Sequence, residues 1–409
     1  MHTTHGEVGS RGRSFGLLAL GFRAGVLSAM LATGAFAAEP SERDRAGCLP
    51  PEIAPFFEPP PEWAGKLGDY RPVLVFDDGR PVRTADEWRA RRREIRDYWF
   101  NVIGRWPPLL EEPKIEVAGV ESRDGLEQRT VRVQAAEDLW LDGYLLIPAP
   151  PRADSPIARR GAVLVVYYDA QTGAGLKPDG GLRDFGDQLA RRGFVTLSIG
   201  WPRSYTDREN VRRQTLSTLA YLAANCRTAL ARQPEVDSRR IGIVGHSFGG
   251  KWALFAACLD ERFAAGAWSD PGVAFDERRP NVNYWEPWYL GYEEGTARKP
   301  GVPTEANPRT GPYKKLVSEC RDLHELQALM APRPFLVSGG AEDPIERWQA
   351  LNHAVAVNEL LGLRHRVGLT LRPSHSPTEQ SNAQLYRFFE HFLGPAADDP
   401  GKQSEGVRD

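Results

Sequence analysis

The stretch Gly245-His246-Ser247-Phe248-Gly249 carries the clearest chemical signal of the chain, a serine at the spacing G-x-S-x-G. An apolar run at residues 241–244 predicts a buried strand before it, and residues 250–257 predict a packed helix after it. Residues 12–16 repeat the spacing, but no strand-like run precedes them. A strand, a sharp turn and a helix form a nucleophile elbow, which exposes the serine hydroxyl above a sheet. Ser247 is therefore the predicted nucleophile.

A serine hydroxyl needs a base to take its proton, and that base needs a carboxylate that holds its tautomer. His375 lies in the loop at residues 372–377, between the last predicted strand and the last predicted helix, where such a base approaches the elbow. The other histidines after Ser247 lie in predicted helical stretches or at a strand start, and packing explains them more simply: His324, His353, His365 and His391. His375 is the predicted base.

Two carboxylates compete for the role of the acid. Asp343 follows the predicted strand 335–338 through a short Gly-rich loop, which is a usual position for the acid at this edge of a sheet. Asp270 directly follows the predicted strand that ends at Trp268 and could also reach the outer imidazole nitrogen. Glu342 is a more distant third choice. Asp343 is the preferred prediction, with Asp270 as the alternative.

The remaining site predictions concern the oxyanion and the substrate. The backbone N–H of Phe248 is expected to bind the oxyanion, with a second N–H from the turn at Asp169 or Ala170. Lys251, one turn into the elbow helix, is a candidate substrate contact, although a solvated lysine is the simpler interpretation. Two tryptophans of an aromatic-rich stretch are further candidates: Trp285 and Trp288.

Strand-like and helix-like runs alternate from residue 161 to residue 393 and must position these residues. This alternation predicts an α/β fold with a mostly parallel central sheet and helices on both faces, the α/β-hydrolase fold. Residues 271–321 interrupt the rhythm with a Pro-, Gly- and aromatic-rich insertion, interpreted as a cap over the site or as a surface excursion packed on its own aromatics.

The N-terminal residues predict a cleaved export signal, and the rest of the chain can be divided into segments. Residues 1–37 have the basic, apolar and A-x-A segments of a signal peptide, so an exported protein, periplasmic or extracellular, is expected; a retained membrane anchor is the alternative. Residues 38–110 are expected to form a Pro-rich segment and a helix packed on the core. The hydrolase domain is predicted over residues 111–395, with a disordered tail at 396–409.

Composition excludes several classes of partner. The 52 basic and 54 acidic residues nearly cancel and form no basic patch, which argues against nucleic acid. The four cysteines are too few for a disulfide framework and lack zinc spacing, so no metal and no cofactor is predicted. One bridge between Cys226 and Cys258, or two buried thiols, are both open.

Two motifs resemble a known group of enzymes. Residues 322–329 with Met330-Ala331-Pro332-Arg333-Pro334, together with the elbow, resemble secreted bacterial α/β-hydrolases of the carbohydrate-esterase type, including acetyl xylan esterases and glucuronoyl esterases. Glucuronoyl esterases carry G-C-S-R-x-G-K at the elbow; this chain matches at Gly245, Ser247, Gly250 and Lys251 and departs at His246 and Phe248. Phe248 replaces an arginine that helps hold the oxyanion in that family, so the resemblance predicts the enzyme class better than the substrate.

The expected function is a serine carboxylic ester hydrolase that acts through an acyl-enzyme on a small-molecule or polysaccharide ester, such as an acetyl or uronate ester. A prolyl-oligopeptidase-like peptidase is an alternative, but too few residues precede the first core strands for the propeller of that class. A non-catalytic binding module of the same fold is the other alternative.

Overall fold

One nine-stranded sheet organises the computed structural model, which describes residues 49–149, 159–203 and 214–394. The strands are β1 Ile115–Arg123, β2 Leu126–Ala136, β3 Leu139–Pro148, β4 Arg160–Tyr167, β5 Val195–Gly200, β6 Val236–His246, β7 Ala265–Ser269, β8 Phe335–Gly339 and β9 Val367–Leu371. Their order in the sheet is β1-β2-β3-β5-β4-β6-β7-β8-β9. The first three strands form an antiparallel meander joined to β5, and the others run parallel.

Helices connect the parallel strands and cover both faces of the sheet. They are α1 Ala85–Ile103, α2 Ala170–Gly173, α3 Phe185–Arg191, α4 Thr215–Ala231, α5 Phe248–Leu259, α6 Gly311–Ser318, α7 His324–Ala328, α8 Trp348–Leu360 and α9 Glu379–Leu393. One apolar core lies among α1, α4, α5 and the sheet, and a second lies beneath α3 and α9. Because helices pack on both faces, β7 and β8 are buried along their whole length, as continuous apolar runs predict.

Helix α1 shows how local sequence sets the boundaries of an element. The Thr84 hydroxyl accepts a hydrogen bond from the Glu87 backbone, and the Glu87 carboxylate accepts one from the Thr84 backbone, so a capping box begins the helix. Trp88, Ile95 and Trp99 then form a buried stripe that packs α1 on the core.

The insertion between β7 and α7 packs closely on the elbow helix. Its central residues Tyr284, Trp285, Tyr289 and Leu290 are almost fully buried, and α6 is its one helix among the described residues. The aromatic side chains that suggested a cap are therefore mostly core residues of this segment.

The structure also bears on the predictions made for the cysteines and for the ends of the chain. Cys226 on α4 and Cys258 on α5 are buried free thiols, so the expectation of a bridge between them is wrong and the alternative of two buried thiols holds. No helix in the described part of the chain is long and apolar enough to cross a membrane. The predicted signal peptide at 1–37 and the predicted tail at 396–409 lie outside the described residues.

Candidate active site

Ser247 stands in a strained turn between β6 and α5. Its φ of 55° and ψ of −113° lie in a region that side chains rarely adopt. A Cβ added at Gly245 would collide with the backbone of Gly249, and one at Gly249 would collide with the Val166 carbonyl, so both positions require glycine. The Ser247 N–H donates to Ser269 O at 2.8 Å, which ties the turn to the neighbouring strand β7.

His375 lies in the loop between β9 and α9, with 30% of its side chain exposed. Its Nδ1 is 2.8 Å from Oδ2 of Asp270. A carboxylate only accepts, so Nδ1 carries the proton and Nε2 is the basic nitrogen. The ring centre lies 4.7 Å from that of His246, the residue before Ser247. The imidazole therefore stands beside the elbow with its tautomer set for a general base.

Asp270 is fully buried directly after β7 and adopts a φ of 51°. Its Oδ1 accepts three backbone hydrogen bonds from the loop after β8: Gly340 N at 2.7 Å, Asp343 N at 2.9 Å and Glu342 N at 3.1 Å. These donors lie mainly on Oδ1, although Glu342 N is also 3.3 Å from Oδ2, and Oδ2 accepts from His375. The carboxylate is thereby fixed in direction before any substrate is bound.

Asp343 is also fully buried, but its carboxylate faces the opposite loop. It accepts from Gly272 N at 2.9 Å and Val273 N at 2.6 Å, and Arg347 Nε lies 3.5 Å away. Burial, together with the nearby charge of Asp270, raises the pKa of Asp343 to about 6. The two aspartates thus form a reciprocal clasp, in which each carboxylate binds the backbone of the loop that carries the other.

The structure corrects the preferred choice of acid. The expectation that Asp343 contacts His375 is wrong, and the alternative, Asp270, makes that contact. The reason is the course of the loop after β8, which turns its N–H groups toward the carboxylate of Asp270 and its own carboxylate toward Gly272 and Val273. Glu342 is no competitor either, because its Oε1 accepts from Asn281 Nδ2 at 3.0 Å.

Sequence reasoning missed Arg372, whose buried guanidinium holds the loop of the histidine. Arg372 donates to the carbonyl oxygens of His375 at 2.7 Å, Ser376 at 2.9 Å and Ser338 at 2.7 Å. It also donates to Ser269 Oγ at 3.2 Å. Burial lowers the pKa of Arg372 from its usual value. An arginine at the start of the histidine loop was the available signal.

A second missed residue, His246, lies beneath the catalytic histidine candidate. It is 1% exposed, and its Nδ1 is 3.1 Å from Ser269 Oγ. Burial, and secondarily the neighbouring His375, lowers the pKa of His246 well below 6.5, so this ring is neutral at physiological pH. It packs beside the base without adding a charge.

The predicted oxyanion donors occupy two facing turns. Phe248 is the first residue of α5, and Asp169 caps α2, accepting from Thr172 N at 2.8 Å and Lys177 Nζ at 2.8 Å. The turns are joined by aromatic packing, since the ring of Phe248 stacks on that of Tyr168 at 4.7 Å. The roles of the two backbone N–H groups stay predictions.

Lys251 does not reach the cleft as predicted. Its side chain is 2% exposed, and Nζ donates to Pro271 O at 2.6 Å and Asn281 O at 3.2 Å. The ammonium also lies 4.9 Å from the centre of the Tyr284 ring. Burial lowers the pKa of Lys251 to about 8. The expectation of a substrate contact is therefore wrong. The hydrogen bonds of this lysine instead connect the elbow helix α5 to the insertion.

The two tryptophan candidates differ. Trp285 is 1% exposed and packs edge-on against Tyr313 at 6.0 Å, so the prediction that it contacts substrate is wrong. Trp288 is half-buried, 6.3 Å from the ring of Tyr289, which itself lies 6.2 Å from Phe248. Trp288 stays a candidate.

Within residues 49–149, 159–203 and 214–394, no three His, Cys, Asp or Glu side chains are grouped to hold a metal ion.

Known proteins resemble this chain in sequence and in fold. No family model matches it. The curated protein 4-O-methyl-glucuronoyl methylesterase 1 of Wolfiporia cocos (strain MD-104) is 26% identical over 389 residues, which cover 89% of this chain and 88% of that protein. A glucuronoyl esterase from Solibacter usitatus superposes with a TM-score of 0.61 at 20% identity and covers 78% of this chain and 97% of its own. A carbohydrate esterase family 15 glucuronoyl esterase from Caldicellulosiruptor kristjansonii superposes with a TM-score of 0.56 at 22% identity and covers 85% of this chain and 97% of its own.

The sheet, its helices and the strained elbow define an α/β-hydrolase, so the predicted fold is confirmed. The predicted resemblance to the carbohydrate esterases is confirmed as well. The curated relative, aligned along nearly the whole chain, supports the predicted class of enzyme: the chain is a carboxylic ester hydrolase.

Proposed function

We propose that the protein is a serine esterase that cleaves carboxylic esters of polysaccharides through an acyl-enzyme. One observation carries the proposal. Ser247 lies in its strained turn after β6, Asp270 follows the adjacent strand β7, and His375, whose Nδ1 is 2.8 Å from Asp270 Oδ2, has its ring 4.7 Å from that of His246, the residue before Ser247.

The proposed chemistry follows from this arrangement. His375 Nε2 takes the Ser247 proton as Oγ attacks the ester carbonyl, and the N–H groups of Phe248 and Asp169 bind the developing oxyanion. The alcohol leaves with the proton from His375. Water, deprotonated by the same nitrogen, then attacks the acyl-enzyme, and the carboxylic acid is released. Asp270 stabilises the imidazolium in both halves of the cycle.

Esterified polysaccharide is the proposed substrate class. The curated relative is named for a glucuronoyl methyl ester, which supports a uronate ester. Phe248 is buried among aromatic rings and offers the oxyanion no charged donor in place of the arginine of glucuronoyl esterases, which supports an acyl group other than glucuronoyl, such as acetyl. These two ester types are the substrates to compare. Export from the cell, inferred from residues 1–37, belongs to the same proposal.

Ester turnover by the purified full chain tests the function. We expect hydrolysis of p-nitrophenyl acetate and of either acetylated xylan or a glucuronate methyl ester. Ser247→Ala removes the nucleophile, and kcat is expected to fall by about 10⁴-fold or more. Ser318→Ala, an exposed serine at the end of α6, is the matched control and should retain full activity. Turnover that survives Ser247→Ala, or no turnover of any of these esters, contradicts the proposal.

A further inference from the structure

A cavity of about 320 Å³ opens beside the candidate oxyanion turn. It is lined by β3, by the turn that follows β4 and by the end of β5. Its volume lies within the range of small-molecule sites in proteins. Asp169, the predicted oxyanion-turn residue, belongs to its wall, so the cavity and the candidate active site share an edge.

The cavity wall combines aromatic faces with neutral and acidic polar groups. Trp140 and Trp201 are half-buried and Tyr168 is 39% exposed, so their rings can meet a ligand. Thr130 and Asp142 add a hydroxyl and a carboxylate. Aromatic faces beside hydrogen-bonding side chains suit a pyranose ring, which presents C–H groups on its faces and hydroxyls at its rim.

Charge indicates which sugars fit. The described residues that line the cavity include two carboxylates, Asp142 and Asp169, and no lysine or arginine. Arg132 lies over the Trp140 ring at 5.4 Å, but it is outside the lining and 3.8 Å from Glu116. Asp169 is paired with Lys177 at 2.8 Å, and Arg203 lies over the Trp201 ring at 5.6 Å, so of the two lining carboxylates Asp142 is the one that presents like charge to an anionic uronate, whereas a neutral sugar finds a hydrogen-bond acceptor there.

The sheet order sets the direction in which a bound chain would run. From the nucleophile strand β6 the order outward is β4, β5 and β3, and the cavity lies over the last two. Adjacent strands are about 4.8 Å apart, so the cavity lies about 10 to 14 Å from the elbow. That span suits a short run of sugar units. The His375–Asp270 pair lies on the opposite side of Ser247, after β7 and β9.

We propose that this cavity is a sugar subsite, in which Trp140, Tyr168 and Trp201 bind neutral pyranose rings of the polysaccharide while its ester reaches Ser247. This inference rests on the proposed esterase function and assigns the part of the substrate that extends away from the reacting bond. It predicts that the cavity contributes to KM for polymeric esters and leaves the chemical step unchanged.

Binding of unesterified sugars tests the subsite directly. Calorimetric titration of the Ser247→Ala protein would use xylotetraose, cellotetraose and mannotetraose, with tetragalacturonate as the acidic probe. At least one neutral tetrasaccharide should bind, and Trp140→Ala should weaken it by about tenfold or more. Trp106→Ala, in a separate cavity of about 350 Å³, is the control and should leave the affinity unchanged. Binding of no neutral sugar, or tighter binding of the acidic one, overturns the proposal.

Kinetics distinguish this inference from the proposed function. With Ser247 intact, Trp140→Ala should raise KM for the esterified polysaccharide and keep kcat/KM for p-nitrophenyl acetate within about twofold. The exposed Asp142→Ala changes the wall without disturbing packing and should act in the same direction. An unchanged polymer KM in both variants refutes the subsite alone. Sugar binding lost on Trp140→Ala, without Ser247-dependent hydrolysis of any ester, refutes the esterase function instead.

Discussion

Exchanging Asp270 for asparagine should convert the base into the wrong tautomer without removing any heavy atom from the site. Oδ1 of Asp270 accepts from the backbone N–H groups of Gly340, Glu342 and Asp343. In Asp270→Asn the amide oxygen must stay on these three donors, which forces the NH₂ group toward His375. An NH₂ group only donates, so Nδ1 becomes an acceptor and the proton moves to Nε2, the nitrogen that must receive the Ser247 proton.

The expected magnitude is large. A correctly placed base with the wrong tautomer lowers kcat by about 10⁴-fold, equivalent to about 5.5 kcal/mol of transition-state stabilisation. Asp343→Asn is the matched comparison, because this carboxylate is equally buried but contacts Gly272 N and Val273 N, with no hydrogen bond to the imidazole. We expect Asp343→Asn to keep kcat within about tenfold of the wild-type value and to lower the free energy of unfolding by about 1–3 kcal/mol.

The assay is steady-state hydrolysis of p-nitrophenyl acetate by both variants, with urea unfolding to verify that each is folded. A 10⁴-fold loss in Asp343→Asn with a mild effect in Asp270→Asn would refute the assignment of the acid. Equal losses in two folded variants would show that the reciprocal clasp, and not the orientation of one imidazole, limits the rate.

Two buried bases give further expectations, each checked by urea unfolding across pH. Burial holds the pKa of Lys251 at about 8, below its unfolded value of 10.5, so the unfolded chain binds more protons between these values and stability rises with pH. Relative to Lys251→Met, the free energy of unfolding of the wild type should rise by about 2 kcal/mol from pH 8 to pH 10. A difference between the two proteins that does not change with pH would contradict the lowered pKa of Lys251. Burial lowers the pKa of His324 from 6.5 to about 3, so stability is lost as the pH falls. Relative to His324→Gln, wild type should lose about 1.4 kcal/mol per unit between pH 6 and pH 4; parallel curves would show that folding does not lower the pKa of His324.

The elements of the fold could be predicted because each is encoded locally. Continuous apolar runs indicated the buried parallel strands, and the capping pair Thr84 and Glu87 indicated where α1 begins. The elbow was recognisable because its glycines are sterically required: any side chain at Gly245 or Gly249 would meet backbone atoms. Such signals depend on neighbours in sequence and need no knowledge of distant contacts.

The acid could not be chosen in the same way, because Asp270 and Asp343 follow neighbouring parallel strands and both reach the same edge of the sheet. What separates them is the path of two loops, including the φ of 51° at Asp270, and a one-dimensional pattern does not contain that path. The predictions that Lys251 and Trp285 contact the substrate were wrong for a related reason. Every residue of α5 is buried, since the insertion covers the face that would otherwise be exposed, so no amphipathic pattern shows where a side chain points.

The reciprocal clasp also explains how two carboxylates can share one buried edge of the sheet. Placed side by side, their charges repel; burial, and secondarily this repulsion, raises the pKa of Asp343. Five backbone N–H groups offset that cost, three on Asp270 and two on Asp343, and Arg347 lies against the second carboxylate. Each loop supplies the N–H donors for the carboxylate of the other loop. Neither loop can therefore shift without leaving a buried carboxylate without its hydrogen bonds. The direction of the imidazole is thereby fixed by the joint geometry of two loops, and Asp343 acts on catalysis through position rather than through charge at the reacting atoms.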